Sequence, residues 1–193
     1  AYTLIRFGLA SDVTIMLTGN PSTILNLVQK ADELKEDVIR DIHDGTLKAS
    51  LPLSANIRKK TEALLLPDPQ RARWLSKLAE RSDVLRPKDY WPNLKLIHTW
   101  KNGNCRLVIP KLAPWFDDST PILDFGYIAS EVNATDMIDP ATDGSVLQID
   151  NAFYEFTLLE DGYDPKRRFY QAHELELGKR YFIYVTTFSG LYR

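Results

Sequence analysis

Apolar side chains recur at helical spacing through most of the first ninety residues. The clearest run predicts a long amphipathic helix with apolar positions every three or four residues, at Leu27, Ala31, Leu34, Val38 and Ile42. Gly45 is the expected end of this helix, with an interior break near Ala31. Asn20 is the expected N-cap, because Pro21 fits the first helical position. A phosphate loop at residues 18–23 is rejected, since no Gly-Lys-Ser/Thr follows and proline lacks a backbone N–H.

Two further helices have recognisable starts. Ser54 could cap a helix that reaches Leu66, and Asp68 with Pro69 opens another. Residues 2–9 form a mostly apolar segment that Gly8 could close as a helix. Three basic residues lie along one side of the helix that Asp68 opens, namely Arg73, Lys77 and Arg81. They are interpreted as ordinary surface and not as a nucleic-acid site, because no aromatic residues lie between them.

The pattern changes after residue 90, where β-branched and aromatic residues become common. Strands are predicted at residues 13–17, 94–100, 122–125, 146–149, 152–159 and 181–188. Residues 105–116 stay ambiguous, because Val108 and Ile109 favour a strand while Pro110 and Pro114 disfavour its interior. The fold class is therefore α/β, with a helical part at 1–90 and a sheet-rich part at 91–193 of one fragment.

The segment TPILDFGYIASE at residues 120–131 combines a buried strand with polar residues at its far end. Ligands of open α/β sheets bind outside the carboxyl ends of the strands. Tyr127 could stack on a base, Ser130 could bind a phosphate, and Glu131 could hold Mg²⁺ beside phosphate oxygens. The residues alone leave open the alternative of a strand followed by an ordinary polar loop.

Composition excludes several functional classes. The 24 basic and 26 acidic residues give a net charge of -2, so there is no general attraction to nucleic acid or an anionic membrane. Cys105 stands alone, and no membrane-spanning segment is visible, so a cytoplasmic location is expected. The histidines lack metal-ligand spacing and no GxSxG motif occurs, so hydrolase chemistry has little support.

Four motifs belong together in their order along the chain: WPN at 91–93, YIASE at 127–131, NAFYEF at 151–156 and VTTFSGLYR at 185–193. They resemble the auxin-responsive Gretchen Hagen family of acyl-acid amido synthetases, and a bacterial member is expected. RFGL at 6–9 and GNPST at 19–23 are also similar to the family, so the resemblance covers essentially the whole chain.

The resemblance implies an adenylate-forming enzyme that uses ATP and Mg²⁺. Such an enzyme activates a small carboxylic acid as an acyl-adenylate and passes the acyl group to an amine or amino acid. By position, Tyr127 matches the aromatic of the nucleotide motif and Ala129 its small residue, whereas Ile128 stands where the family usually has glycine. Ser130 matches the phosphate-side hydroxyl and Glu131 the metal-side carboxylate, which makes these two the expected catalytic residues.

The resemblance also implies that the family's phosphate loop lies upstream, and that its ribose-binding aspartate and carboxy-terminal domain lie downstream. The isolated fragment is therefore expected to be inactive, and its exposed apolar surface to favour self-association. Two alternatives stay open: an adenylating enzyme with a thiol acceptor, and a noncatalytic module that binds a small acid or a protein. Neither a nucleic-acid nor a membrane partner is expected.

Overall fold

The computed structural model describes residues 1–142 and 144–190. The chain forms two compact units, of which the first comprises Ala1–Leu123 and the second begins at Asp124. We call them the helical unit and the strand unit. No helix among the described residues is long and apolar enough to cross a membrane.

The helical unit packs its helices against a short parallel sheet. The helices are α1 (Tyr2–Ala10), α2 (Pro21–Glu33), α3 (Lys35–Asp44), α4 (Ala55–Glu62), α5 (Pro69–Arg81) and α6 (Pro87–Tyr90). The strands lie in the order β1 (Ile15–Leu17), β2 (Leu96–His98) and β3 (Ile122–Leu123). Both strand pairs are parallel. The ambiguous segment that follows β2 contains two 3₁₀ helices, Gly103–Leu107 and Ile109–Leu112.

Helix ends follow the predicted capping residues. The side chain of Asn20 accepts a hydrogen bond from the Ser22 N–H at 2.9 Å, and Pro21 is the first residue of α2. The Asp68 carboxylate accepts from the Arg71 N–H at 2.8 Å, and Ser54 caps α4 in the same way. Gly45 ends α3 with a left-handed φ of 69°. The interior break falls at Leu34 rather than near Ala31, because Leu34 leaves helical geometry with ψ of 10°.

A buried carboxylate connects α1, α3 and the loop after α3. Asp41 is only 2% exposed, and its side chain accepts hydrogen bonds from the Tyr2 hydroxyl at 2.6 Å and the Lys48 N–H at 2.6 Å. Thr46 adds a third hydrogen bond at 3.2 Å. Arg6 is equally buried, and burial lowers the pKa of its guanidinium while the charge of Asp41 raises it. Asp41 is therefore a buried polar crosslink between α1, α3 and the loop after α3.

The loop between α3 and α4 is organised by a side chain of α4. The Arg58 guanidinium donates to four carbonyl groups of this loop at 3.0–3.3 Å, those of Leu47, Lys48, Ala49 and Leu51. Arg58 therefore supplies the donors that a neighbouring strand would otherwise provide.

The strand unit contains two antiparallel strand pairs. One joins β4 (Thr135–Asp136) to β5 (Val146–Leu147), and the other joins β6 (Phe153–Leu158) to β7 (Tyr181–Thr186). The core of this unit consists of side chains from residues 132–134, from β6 and from the residue before β6, namely Val132, Ala134, Ala152, Tyr154 and Phe156. Each predicted strand contains an observed strand that is shorter, and β4 was not predicted.

Replacing Asp41 by alanine is expected to lower the free energy of unfolding of the helical unit by about 3 kcal/mol, because buried donors lose a charged acceptor. Urea denaturation followed by tryptophan fluorescence measures this, because the tryptophans all lie in that unit, at positions 74, 91, 100 and 115. The control is Asp44→Ala, which removes an exposed carboxylate paired with His43 and should change the value by less than about 0.5 kcal/mol. Equal effects of the two substitutions would contradict the role given to Asp41.

Candidate functional site

The residues predicted to bind a nucleotide form a tight hairpin in the strand unit. Ile128 and Asn133 form an antiparallel bridge, and the Ala129 N–H donates to the Val132 carbonyl at 2.8 Å. Ser130 and Glu131 are therefore the two residues at the tip of the hairpin. Both side chains are exposed.

The base of the hairpin is fixed by a close approach of two backbone segments. Gly126 has a φ of 75°, and a Cβ atom at this position would lie 2.2 Å from the Thr135 carbonyl oxygen. Only glycine fits such a position. The Thr135 hydroxyl accepts a hydrogen bond from the Tyr127 N–H at 2.8 Å. The side chain of Asp124 also accepts a hydrogen bond from the Gly126 N–H at 2.7 Å, which makes a tight turn directly after β3.

Ile128, at the position where the resemblance leads us to expect glycine, has an ordinary backbone conformation. Among the described residues, no residue other than glycine has a positive φ. Ile128 lies in extended backbone opposite Asn133, and its side chain is 42% exposed. The left-handed glycine of this segment is Gly126, two positions earlier. A β-branched residue therefore fits at position 128 without backbone strain.

The hairpin borders a shallow depression of about 310 Å³. Its lining includes Tyr127, Ala129 and Glu131 from the hairpin, together with Val132, Ile183, Tyr184 and Val185. Tyr127 is 47% exposed, so part of its ring is available to a ligand. Ser130 does not line the depression but lies beside it at the tip. The structure therefore brings three of the four predicted residues to one surface.

Sequence reasoning missed the three β7 residues of this lining. The strand itself was predicted, and Val185 belongs to the fourth motif. The sequence pattern alone could not show that Ala129, Ile183 and Val185 all pack against the same apolar cluster. The last three residues of that motif, 191–193, lie outside the described residues.

The tip presents one carboxylate and one hydroxyl, those of Glu131 and Ser130, to solvent. Within residues 1–142 and 144–190, the Glu131 carboxylate and the Ser130 hydroxyl make no hydrogen bond or ion pair, so both are available to a ligand. No group of three or more His, Cys, Asp or Glu side chains in these ranges could hold a metal ion. Mg²⁺ commonly binds one or two carboxylates and completes its shell with substrate phosphates and water. Glu131 fits that arrangement, provided that phosphate oxygens supply other ligands.

Two domains of one known family match the two parts of the chain. Residues 1–122 match the GH3 family N-terminal domain and residues 145–193 match the GH3 family central domain. A probable indole-3-acetic acid-amido synthetase of Oryza sativa subsp. japonica is 27% identical over 187 residues. That alignment covers 89% of this chain and 31% of the relative. A jasmonoyl-L-amino acid synthetase of the same organism is also 27% identical, with 89% and 32% covered.

A solved structure shows the same fold. The GH3.15 acyl acid amido synthetase in complex with 2,4-DB superposes with a TM-score of 0.81 at 21% identity, over 100% of this chain and 34% of that chain. The chain thus has an α/β fold that matches this part of the solved acyl acid amido synthetase. The chain belongs to the GH3 family, as the motif resemblance predicted, and spans about a third of the length of the relatives it matches.

Replacing Gly126 by alanine is expected to destabilise the hairpin by at least about 1–2 kcal/mol, because the new Cβ meets the Thr135 carbonyl in a left-handed conformation. Hydrogen exchange of the Ala129 and Ala134 amide groups, which bond within the hairpin, should become faster. The control is Gly144→Ala, where an added Cβ has no neighbour within 4 Å. Unchanged exchange in Gly126→Ala would refute the proposed constraint.

Proposed function

We propose that the intact protein is an ATP-dependent acyl-acid amido synthetase. It activates a small carboxylic acid as an acyl-adenylate and transfers the acyl group to an amine, with an amino acid as the expected acceptor. The observation that carries the proposal is that Tyr127 and Glu131 line one depression at a hairpin whose base is fixed by Gly126. The amido synthetase names of the relatives support it.

Tyr127 and Ala129 bind the adenine of ATP. The half-exposed ring of Tyr127 offers an aromatic face on which a base stacks. Ala129 lines the same depression with only a methyl group, so a flat base can approach the backbone closely. Neither contact requires a charged side chain.

Ser130 and Glu131 act on the phosphate end of ATP. The Ser130 hydroxyl donates a hydrogen bond to a phosphate oxygen, and the Glu131 carboxylate holds Mg²⁺ beside the phosphates. Bound Mg²⁺ supplies charge neutralisation where negative charge develops on the phosphate oxygens. The short hairpin loop keeps the two side chains adjacent and limits the reorganisation needed during reaction.

The reaction has two balanced steps. In the first, a carboxylate oxygen of the acid forms a bond to the α-phosphorus of ATP, and the bond from that phosphorus to the bridging oxygen breaks to release pyrophosphate. In the second, the acceptor nitrogen attacks the acyl carbon, AMP leaves with the electron pair of the C–O bond, and the nitrogen loses a proton. The first step needs positioned charge more than acid–base groups.

Acid-dependent exchange between ATP and pyrophosphate in the full-length protein tests the proposal. Small aryl and aliphatic acids form the panel, with indole-3-acetic acid and a jasmonate included because of the relatives' names. Glu131→Gln keeps the shape of the side chain but removes its charge, so the exchange rate should fall about 100-fold or more if the carboxylate holds Mg²⁺ in the transition state. The Mg²⁺ concentration for half-maximal rate should rise.

The matched control is Glu160→Gln, which removes another exposed carboxylate of the strand unit and should leave exchange unchanged. Full activity with an unaltered Mg²⁺ dependence in Glu131→Gln would reject the assignment of Glu131. If the complete reaction transferred the acyl group to a thiol in preference to an amino acid, the proposed amide product would be rejected. Acid binding that shows no ATP dependence would reject adenylation altogether.

Tyr127 is expected to affect ATP binding through its ring and not its hydroxyl. Tyr127→Ala should raise the KM for ATP by about 5–100-fold, which corresponds to the loss of one base–aromatic stack. Tyr127→Phe keeps the ring and should stay within about twofold of the original value. A large effect of Tyr127→Phe would instead assign the contact to the hydroxyl.

A further inference from the structure

The NAFYEF motif at residues 151–156 has no role in the proposed function, yet it is hydrogen-bonded to the hairpin of the candidate site. The side-chain amide of Asn151 donates to the Asn133 carbonyl, on the second arm of the hairpin. The Tyr154 hydroxyl donates to the Asn151 amide oxygen at 2.7 Å. These two hydrogen bonds connect strand β6 to the hairpin, and we call them the polar brace.

The Asn133 carbonyl can accept this bond because of the pairing in the hairpin. Asn133 lies opposite Ile128, and the backbone hydrogen bonds between the two arms are made by the residues on either side of that pair. In an antiparallel ladder, the N–H and C=O groups of such a pair point away from the partner strand. The brace therefore meets the hairpin on its outer edge, two residues from Glu131.

The two partners of Asn151 fix the orientation of its amide. A carbonyl can only accept a hydrogen bond, so the amide nitrogen must face Asn133. The amide oxygen then faces Tyr154, which is 6% exposed and belongs to the core of the strand unit. Burial raises the pKa of the Tyr154 hydroxyl, which therefore stays a neutral donor. The brace thus runs from a core side chain to the backbone of the hairpin.

Apolar packing alone would hold the second arm less precisely. Its core side chains, Val132 and Ala134, are small, and hydrophobic contact is not directional. A hydrogen bond has a preferred length and angle, so the brace also fixes the arm along the direction of β6. Strand β6 pairs with β7, which supplies the other part of the lining of the depression. The brace therefore sets the position of the hairpin tip relative to that lining.

We propose that Asn151 is a positioning residue for adenylation, and that the polar brace holds the Glu131 carboxylate where it can keep Mg²⁺ beside the phosphates of ATP. This inference rests on the proposed function. Asn151 and Tyr154 act through the hairpin and not by contact with ATP. Their effect falls on the reaction step more than on adenine binding, because Tyr127 lies at the base of the hairpin, which Gly126 fixes independently.

Acid-dependent exchange between ATP and pyrophosphate in the full-length protein tests the brace. Asn151→Ala removes both hydrogen bonds, so kcat should fall about tenfold or more, while the KM for ATP should change less than about threefold. Tyr154→Phe removes only the hydroxyl and should lower kcat about threefold to tenfold. The control is Tyr163→Phe, which removes an exposed hydroxyl from the same unit and should change neither value.

Combined substitutions separate positioning from a general structural role. If the brace acts through Glu131, Asn151→Ala should lower kcat less than about twofold when Glu131→Gln is already present. Asn151→Ala combined with Tyr154→Phe should be no slower than Asn151→Ala alone, because the brace is already broken. Circular dichroism checks that each variant is folded. Tyr154→Phe keeps its ring in the core, so it decides the question if Asn151→Ala does not fold.

The outcomes for the inference and for the proposed function are distinct. The inference is overturned if the folded brace variants keep their kcat, or if Asn151→Ala has the same effect with and without the Glu131 carboxylate. In both cases, exchange by the unsubstituted protein leaves the proposed function standing. Absence of exchange with any acid in the folded, unsubstituted protein rejects the proposed function itself, and the inference with it.

Discussion

The close approach of Gly126 to the Thr135 carbonyl is the constraint on which the candidate site depends. A Cβ atom there would lie 2.2 Å from that oxygen, so the two backbone segments can meet only at a glycine. Their contact sets the pairing that follows, in which Ile128 lies opposite Asn133 and two residues remain for the tip. The side chains of the candidate site are thus positioned by the pairing of the hairpin backbone.

In the same region, the sequence predicted which residues belong to the site but not how the surrounding backbone is arranged. The structure places Tyr127, Ala129 and Glu131 of the YIASE motif around one depression, whereas Ile128 and Ser130 do not line it. The sequence pattern also predicted that the preceding strand continues to Phe125. The observed strand, β3, ends at Leu123 because the side chain of Asp124 accepts a hydrogen bond from the Gly126 N–H. The β7 wall of the depression depends on a contact between segments far apart in the chain, which no local pattern encodes.

Elsewhere, prediction succeeded where the stabilising interaction is local. The caps at Asn20, Ser54 and Asp68 each bond to a backbone N–H two or three residues away, so the sequence contains both partners. It failed where the partner is remote. Burial of Arg6 beside an apolar core could not be inferred from its own segment, and β4 is too short to produce an alternating pattern.

The contact between Arg58 and the carbonyl groups of the preceding loop has a consequence for how the helical unit opens. Helix α4 buries none of its residues, so its packing alone stabilises it weakly. The loop, in turn, takes donors from Arg58 instead of from a strand. Each segment therefore depends on the other for its order, and the two form one cooperative element of low local stability. Native-state fluctuations would expose both together, while the hydrogen bond between Tyr2 and Asp41 keeps α1 joined to α3.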